Sequence, residues 1–260
     1  PAPMASRVRH AGFVRGAELF DNTAFAVSPA EATAMDPCQR LVLERGYAAL
    51  HDASLQRKTL GGSLTGVFLG FAGSEFDQLL AALPAGGSVY AATGASVSIA
   101  SGRLSYTLGL HGPCVTYDTA CSAALVASHA GLRALQLEEC KVGLVVGVGL
   151  VLAPGVGIGF AIAGMTSARG RSHTFDARAD GYARSEACGG VALCRSDALL
   201  DLLGSAVRQD GRSASLTAPN GQAQQVLLVA ALADADMPAA ALVLNDCLLY
   251  TSDAADELSC

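Results

Sequence analysis

Tryptophan is absent from the 260 residues, and charge is scarce: Asp, Glu, Lys and Arg make up 15% of the chain against 51% hydrophobic residues. So apolar a composition excludes a disordered, self-solvating chain and implies a thick core or a large buried interface. The net charge is -6, and no basic run stands out. Nucleic-acid binding therefore has no electrostatic support. No CxxC pair occurs among the cysteines at 38, 114, 121, 140, 188, 194, 247 and 260, and histidines do not cluster with them. Neither a zinc site nor a disulfide framework is expected, and a reducing compartment fits better. A charged-then-apolar leader is also missing. The start Pro1-Ala2-Pro3, without an initiator Met, reads as a cut inside a longer protein.

Long apolar runs are the one feature present in excess. Val142 to Met165 holds no charge over 24 positions, enough to span a bilayer. Repeated glycines and the turn signal Ala153-Pro154-Gly155 interrupt it. The expectation is a buried strand over Val142–Leu152, apolar on both faces, and no membrane span.

The stretch Gly112 to His129 organises the rest. It reads as a turn, a short strand, a tight bend carrying Cys121, and a helix of small and apolar residues running to about Gln136. A cysteine at a strand-to-helix bend meets unpaired N–H groups and the positive end of the helix dipole, which favour thiolate. That makes Cys121 the best nucleophile candidate. Most free cysteines are small buried apolar residues instead, and the local pattern leaves both readings open.

Earlier in the chain, Ser28-Pro29-Ala30-Glu31 predicts a helix start, with Ser28 as N-cap, Pro29 in the first turn and Glu31 closing a capping box. Asp36 is the expected N-cap of a second helix, in which Cys38, Leu41, Val42, Arg45, Ala48, Ala49 and Asp52 fall at helical spacing. Thr65–Phe71 predicts a buried strand, Phe76–Leu83 a short helix and Thr93–Leu108 a longer one. Gly189–Cys194 predicts a further strand and Gln222–Ala235 a helix. Strands alternating with helices, without an internal repeat, argue for an α/β protein with a covered sheet. Between Arg169 and Arg184, mixed charges among Gly and Phe predict a salt-bridged surface loop.

A catalytic cysteine needs a base within hydrogen-bond reach. His129 lies eight residues along the same helix, about 12 Å of rise away. His111 precedes the strand by ~30 Å of extended chain. His51 falls late in an amphipathic helix and is expected to be exposed. His173 approaches only if its loop folds back, and His10 has no predicted partner. No Cys–His pair is legible.

Asp118-Thr119-Ala120-Cys121-Ser122-Ala123-Ala124-Leu125 resembles the active-site motif of the β-ketoacyl synthases, above all the ketosynthase domains of type I polyketide synthases. Met35-Asp36-Pro37-Cys38-Gln39-Arg40-Leu41 is similar to the family's MDPQQR helix, with Cys38 in place of a Gln. Ser98 to Tyr106, Ala163 to Glu186, Ser205 to Arg212 and Leu216 to Gly221 continue the likeness in family order, over residues 8–246. The resemblance implies a thiolase-like layered fold, α-β-α-β-α in the complete domain, of which the N-terminal half and the start of the C-terminal half are present. It implies decarboxylative Claisen condensation. Cys121 takes an acyl group as a thioester, its backbone N–H contributes to an oxyanion hole, and two histidines assist the decarboxylation of a malonyl-type extender. It further implies no cofactor on the domain itself, substrates on the phosphopantetheine of an acyl carrier protein, and a homodimer. The location is cytoplasmic, or plastid in a photosynthetic eukaryote.

Two departures bear on this. The family's HGTGT motif, with the first histidine, is expected after Leu242 to Cys247. The chain instead reads Leu248-Leu249-Tyr250-Thr251-Ser252-Asp253-Ala254-Ala255-Asp256-Glu257. That run resembles a translated transposase adapter from sequencing-library preparation. Residues 1–246 are thus taken as a partial ketosynthase domain and 247–260 as an artefact, and the chain is expected to be inactive in condensation. Ala187 stands where the family has Gly, which would strain a position needing positive φ. Ala123 stands where a Ser is frequent. The rival expectations are a catalytically silent dimerisation or carrier-docking module, a fatty-acid rather than polyketide synthase and, more weakly, a cysteine hydrolase.

Overall fold

Valine, leucine and phenylalanine in the run Thr65–Phe71 build the core of one compact unit, where all seven residues are buried. The computed structural model describes residues 2–195, 199–215 and 218–242. The tail 247–260, the residues beyond Leu242 and the Leu216-Thr217 part of one family motif lie outside them. The chain divides into two compact units.

The first unit comprises Gly12–Pro154 and Ser185–Ala198. Its helices in chain order are α2 (Pro29–Ala34), α3 (Pro37–Asp52), α4 (Arg57–Leu60), α5 (Phe76–Ala81), α6 (Ala91–Gly94), α7 (Val97–Leu108) and α8 (Ala123–Gln136). The strands are β2 (Thr65–Phe71), β3 (Cys114–Tyr117), β4 (Val142–Gly149) and β6 (Ala187–Leu193), ordered β3-β2-β4-β6 in one sheet. β2 runs parallel to β3 and β4, with Phe68 opposite Val115 and Val145, while β6 closes the edge antiparallel to β4. Parallel pairing requires long crossovers, and α5 to α7 and then α8 supply them.

Period-two alternation sorts the core. Val67, Leu69, Leu144 and Val146 point to a cluster with Leu41, Val42 and Leu50 of α3 and Leu104 and Leu108 of α7. Phe68 and Val145 point the other way, to Ala127, Ala134 and Leu135 of α8. Helices therefore cover both faces, which is why the middles of β2 and β4 lack polar positions.

A buried polar network joins α2, α3, α6 and α7. The Asp36 carboxylate caps α3, accepting from Cys38 N at 2.7 Å, and takes the Ser74 hydroxyl at 2.6 Å. Gln39 is 1% exposed, donates to the carbonyls of Thr93 and Ser96, and accepts from Arg103 Nε at 2.9 Å. These bonds pin the chain at Ala95-Ser96. The predicted Thr93–Leu108 helix is accordingly two, α6 and α7. Ser28 does cap α2, accepting from Glu31 N at 3.2 Å. The Glu31 carboxylate does not close the capping box. It pairs with the Arg103 guanidinium, a charge-assisted bond that outcompetes a neutral N–H donor.

The second unit comprises Pro1–Ala11, Gly155–Arg184 and Leu199–Cys260. It holds α1 (Ala2–Arg7), nearly all of α9 (Pro154–Ile162), and α10 (Gly221–Asp234); the two-residue strands β1 (Ala11–Gly12) and β5 (Arg184–Ser185) fall at its borders. Pro154 opens a helix, so the expected turn there is an N1 proline. Among the described residues no helix is long and apolar enough to cross a membrane. The charged loop pairs within itself: Arg178 with Asp176 at 2.6 Å, and Asp180 with Ser167 at 2.5 Å and Arg169 at 3.5 Å. Asn220 caps α10, accepting from Gln222 and Ala223 N–H, and none of the α10 residues is buried.

Candidate active site around Cys121

Strand β3 ends at Tyr117, and the chain must reverse within five residues to start α8. Asp118 Oδ1 accepts from Ala120 N at 3.1 Å, closing the first bend. Ala120 takes φ 53°, a left-handed conformation that costs a non-glycine residue of order 1 kcal/mol or more. A 3-10 turn over Ala120–Ser122 follows, so α8 begins at Ala123 rather than at Cys121. The turn's bonds run from Ser122 N to Thr119 O and from Ala123 N to Ala120 O, leaving the Cys121 N–H outside them. The Ser122 hydroxyl turns back to Thr119 O at 2.9 Å and does not cap α8.

Glycine seats this elbow on the sheet. A Cβ on Gly70 of β2 would lie 2.4 Å from Ala124 N, and one on Gly147 of β4 would lie 2.9 Å from Ala124 Cβ. No other residue permits α8 to start so close to the strands. Beside the elbow opens a cleft of about 550 Å³ at the C-terminal ends of β2 and β4. Gly70, Cys121, Ala124, Gly149, Ala187 and Gly189 are among its lining, and Cys121, Ser128 and Ser185 provide its polar side chains.

Cys121 is exposed, as are Cys114 and Cys194. Among the described residues the other thiols are held back by burial. Desolvation, with Asp36 beside it, pushes Cys38 far above the ordinary thiol range. Burial pushes Cys188 up to about 11 and raises Cys140 as well.

No ionisable side chain other than the Cys121 thiol lines the cleft among the described residues. His129 is half-buried on α8, while His51 and His111 are exposed. His173 sits in the charged loop, its Nδ1 3.8 Å from Asp176 and its Nε2 buried without a partner. Ala187 is a regular β6 residue without positive φ, so the anticipated strain does not arise. Ala123 is buried where α8 meets the sheet.

Glu75, which no sequence signal singles out, and Glu186, which closes the family-like stretch Ala163 to Glu186, have carboxylates that accept backbone N–H bonds from the segment leaving β4. Those bonds end the strand at Gly149, short of the predicted Leu152.

The family model Beta-ketoacyl synthase, N-terminal domain, matches residues 1–198. The chain is 42% identical over 243 residues to the spectinabilin polyketide synthase system protein NorC of Streptomyces orinoci, covering 90% of this chain and 11% of that protein. It is 44% identical over 240 residues to the pikromycin polyketide synthase component PikAII of Streptomyces venezuelae, covering 89% of this chain and 6% of that one. Among solved structures it is similar to the oxazolomycin ketosynthase domain OzmH KS7 of Streptomyces albus, with TM-score 0.81 and 30% identity, over 87% of this chain and 41% of that chain. It is also similar to the ketosynthase from module 6 of the bacillaene synthase of Bacillus subtilis, with TM-score 0.77 and 32% identity, over 86% and 39%. The chain thus spans about a tenth or less of these two synthase proteins and about two fifths of these solved domains. The elbow, the mixed sheet beneath it and these matches agree on a thiolase-like fold, and the chain belongs to the β-ketoacyl synthase family, through the ketosynthase domain of polyketide synthases.

Proposed function

We propose that Cys121 is the nucleophile of a ketosynthase that elongates a polyketide by decarboxylative Claisen condensation. The observation that carries this reading is the elbow itself. It presents an exposed thiol beside a cleft, at the start of a helix seated on glycine, with its own N–H outside the turn's hydrogen bonds. In the acyl-transfer half-reaction the Cys121 sulfur attacks a carrier thioester, the new S–C bond replaces the carrier S–C bond, and the proton leaves with the carrier thiol. The Cys121 N–H is placed to stabilise the developing oxyanion. The acyl donor is the phosphopantetheine arm of an acyl carrier protein, and the working assembly is a homodimer. Decarboxylation requires groups that the cleft does not supply among the described residues, so this chain is a unit of acyl transfer.

The bare surroundings of Cys121 favour one second reading, a silent ketosynthase-like docking module. Incubation with acetyl-N-acetylcysteamine thioester and mass-spectrometric mapping separates the two. Acylation at Cys121, lost in Cys121→Ala, is expected. Equal acylation of Cys114 and Cys194, or modification of buried Cys38 or Cys140 ahead of Cys121, would overturn the assignment.

A further inference from the structure

Below its mouth, the cleft beside Cys121 has one polar side chain in its lining, Ser128. Cys121, Ala124 and Ser128 line the same wall, and their i, i+3, i+7 spacing sets all three on one face of the elbow and α8. Seven residues put Ser128 about 10 Å along that wall from Cys121. Glycine contacts fix its depth. A Cβ on Gly147 would stand 2.9 Å from the Ala124 Cβ, and a Cβ on Gly131 would stand 3.1 Å from Val145 Cγ2. Ser128 lies between those two levels of α8. It therefore reaches the cleft where Gly147 pairs with Gly189 and Val145 with Val191, below the mouth at Gly149. Ser185, the other hydroxyl of the lining, is exposed at that mouth, two residues before the Ala187 that pairs with Gly149.

The Ser128 hydroxyl has a defined polarity. It donates to the Ala124 carbonyl, four residues back, at 2.9 Å. A serine hydroxyl carries one proton and two lone pairs, so this bond uses the proton and leaves the oxygen as an acceptor. A group that meets it must bring a donor of its own. The neighbouring lining residues Val145, Gly147, Gly189 and Val191 have no polar side-chain atom.

We propose that Ser128 is a specificity-determining residue that selects acyl chains bearing a hydroxyl on the seventh carbon. This rests on Cys121 being the acyl-accepting nucleophile. A chain on the Cys121 sulfur that follows the wall advances about 1.2 Å per bond, as any extended covalent chain does. Its seventh carbon then lies about 8 Å from the sulfur, and a hydroxyl there closes the remaining gap to Ser128. Elongation by two-carbon units leaves oxygens on odd-numbered carbons, so the seventh is one that a growing chain oxygenates. Reduced to a hydroxyl, that oxygen donates to Ser128. A ketone at the same carbon offers only lone pairs, and a hydroxyl on the third carbon stays near the mouth.

The test follows acylation of Cys121 in the whole chain by N-acetylcysteamine thioesters of octanoyl, 7-hydroxyoctanoyl, 7-oxooctanoyl and 3-hydroxyoctanoyl groups. Each is scored as maximal rate over half-saturating concentration, relative to octanoyl. The 7-hydroxy ratio is expected to fall about fivefold in Ser128→Ala, the scale of one hydrogen bond. Ser128→Thr, which carries the same hydroxyl, should keep it. The 3-hydroxy ratio should be the same in all three chains, and the 7-oxo ratio should not fall in Ser128→Ala. Alanine is the stronger helix former, so α8 persists in that variant. An unchanged 7-hydroxy ratio in Ser128→Ala, an equal loss in Ser128→Thr, or a matching fall for the 3-hydroxy or 7-oxo chain would overturn the proposal. A wild type that takes none of the four acyl groups overturns the nucleophile reading and this one with it; a wild type and variants acylated with the same preferences overturn this one alone.

Discussion

Gly70 of β2 lies directly beneath Ala124 of α8, so close that a Cβ there would stand 2.4 Å from the Ala124 nitrogen and 2.6 Å from the Ala123 carbonyl carbon. The contact is backbone against sheet, and no rotamer can relieve it. The position of the nucleophile elbow therefore depends on the absence of a side chain at Gly70.

Gly70→Ala should push the first turn of α8 off the sheet at a cost of about 1–3 kcal/mol, the range for overpacking. A thermal melt checks the stability. The same variant should slow acylation of Cys121 more than alkylation of exposed Cys194, which follows β6 at the far end of the sheet from the elbow.

Gln39→Ala should be more damaging than its small volume change suggests. It strands the carbonyls of Thr93 and Ser96 and the Nε of Arg103, whose side chain is 9% exposed. The expected loss is about 2–4 kcal/mol, since buried polar groups left without partners cost the full desolvation. Urea titration measures it, and a loss no larger than that of a surface Gln→Ala would contradict the network.

Burial raises the Asp36 carboxyl above its ordinary 3.8, against the pull of Ser74 and the Cys38 N–H. The folded state therefore holds this proton more tightly than the unfolded chain. Its contribution is fully present below the unfolded value and is lost as pH rises through the folded one. Asp36→Asn keeps an amide oxygen for the cap and removes the titration. The stability difference between variant and wild type should shift in the variant's favour as pH climbs from about 3.5 to about 7. A pH-independent difference in urea melts would count against the raised value.

Much of this is legible in the chain. Thr65–Phe71 is the central strand with the boundaries its composition predicts, because an uninterrupted Val/Phe/Leu run suits a strand covered on both faces. Ser28 and Asp36 cap the helices they precede, since capping is a contact over two or three residues. Helix α8 starts two residues later than its pattern predicts, because the left-handed Ala120 and the 3-10 turn are set by the reversal from β3, not by local preference.

By itself the sequence determined most of the elements, the caps of α2 and α3 and the identity of Cys121 as the residue at a strand-to-helix bend, all of them local patterns or ordered motifs. Only the tertiary structure decided what surrounds that cysteine. It put glycines of β2 and β4 under α8, turned Glu31 to Arg103 across 72 residues, and brought Glu75 and Glu186 to the same three N–H groups. Those choices are settled by which donors and surfaces the folded chain brings together at long range, and no periodicity along the chain encodes that proximity.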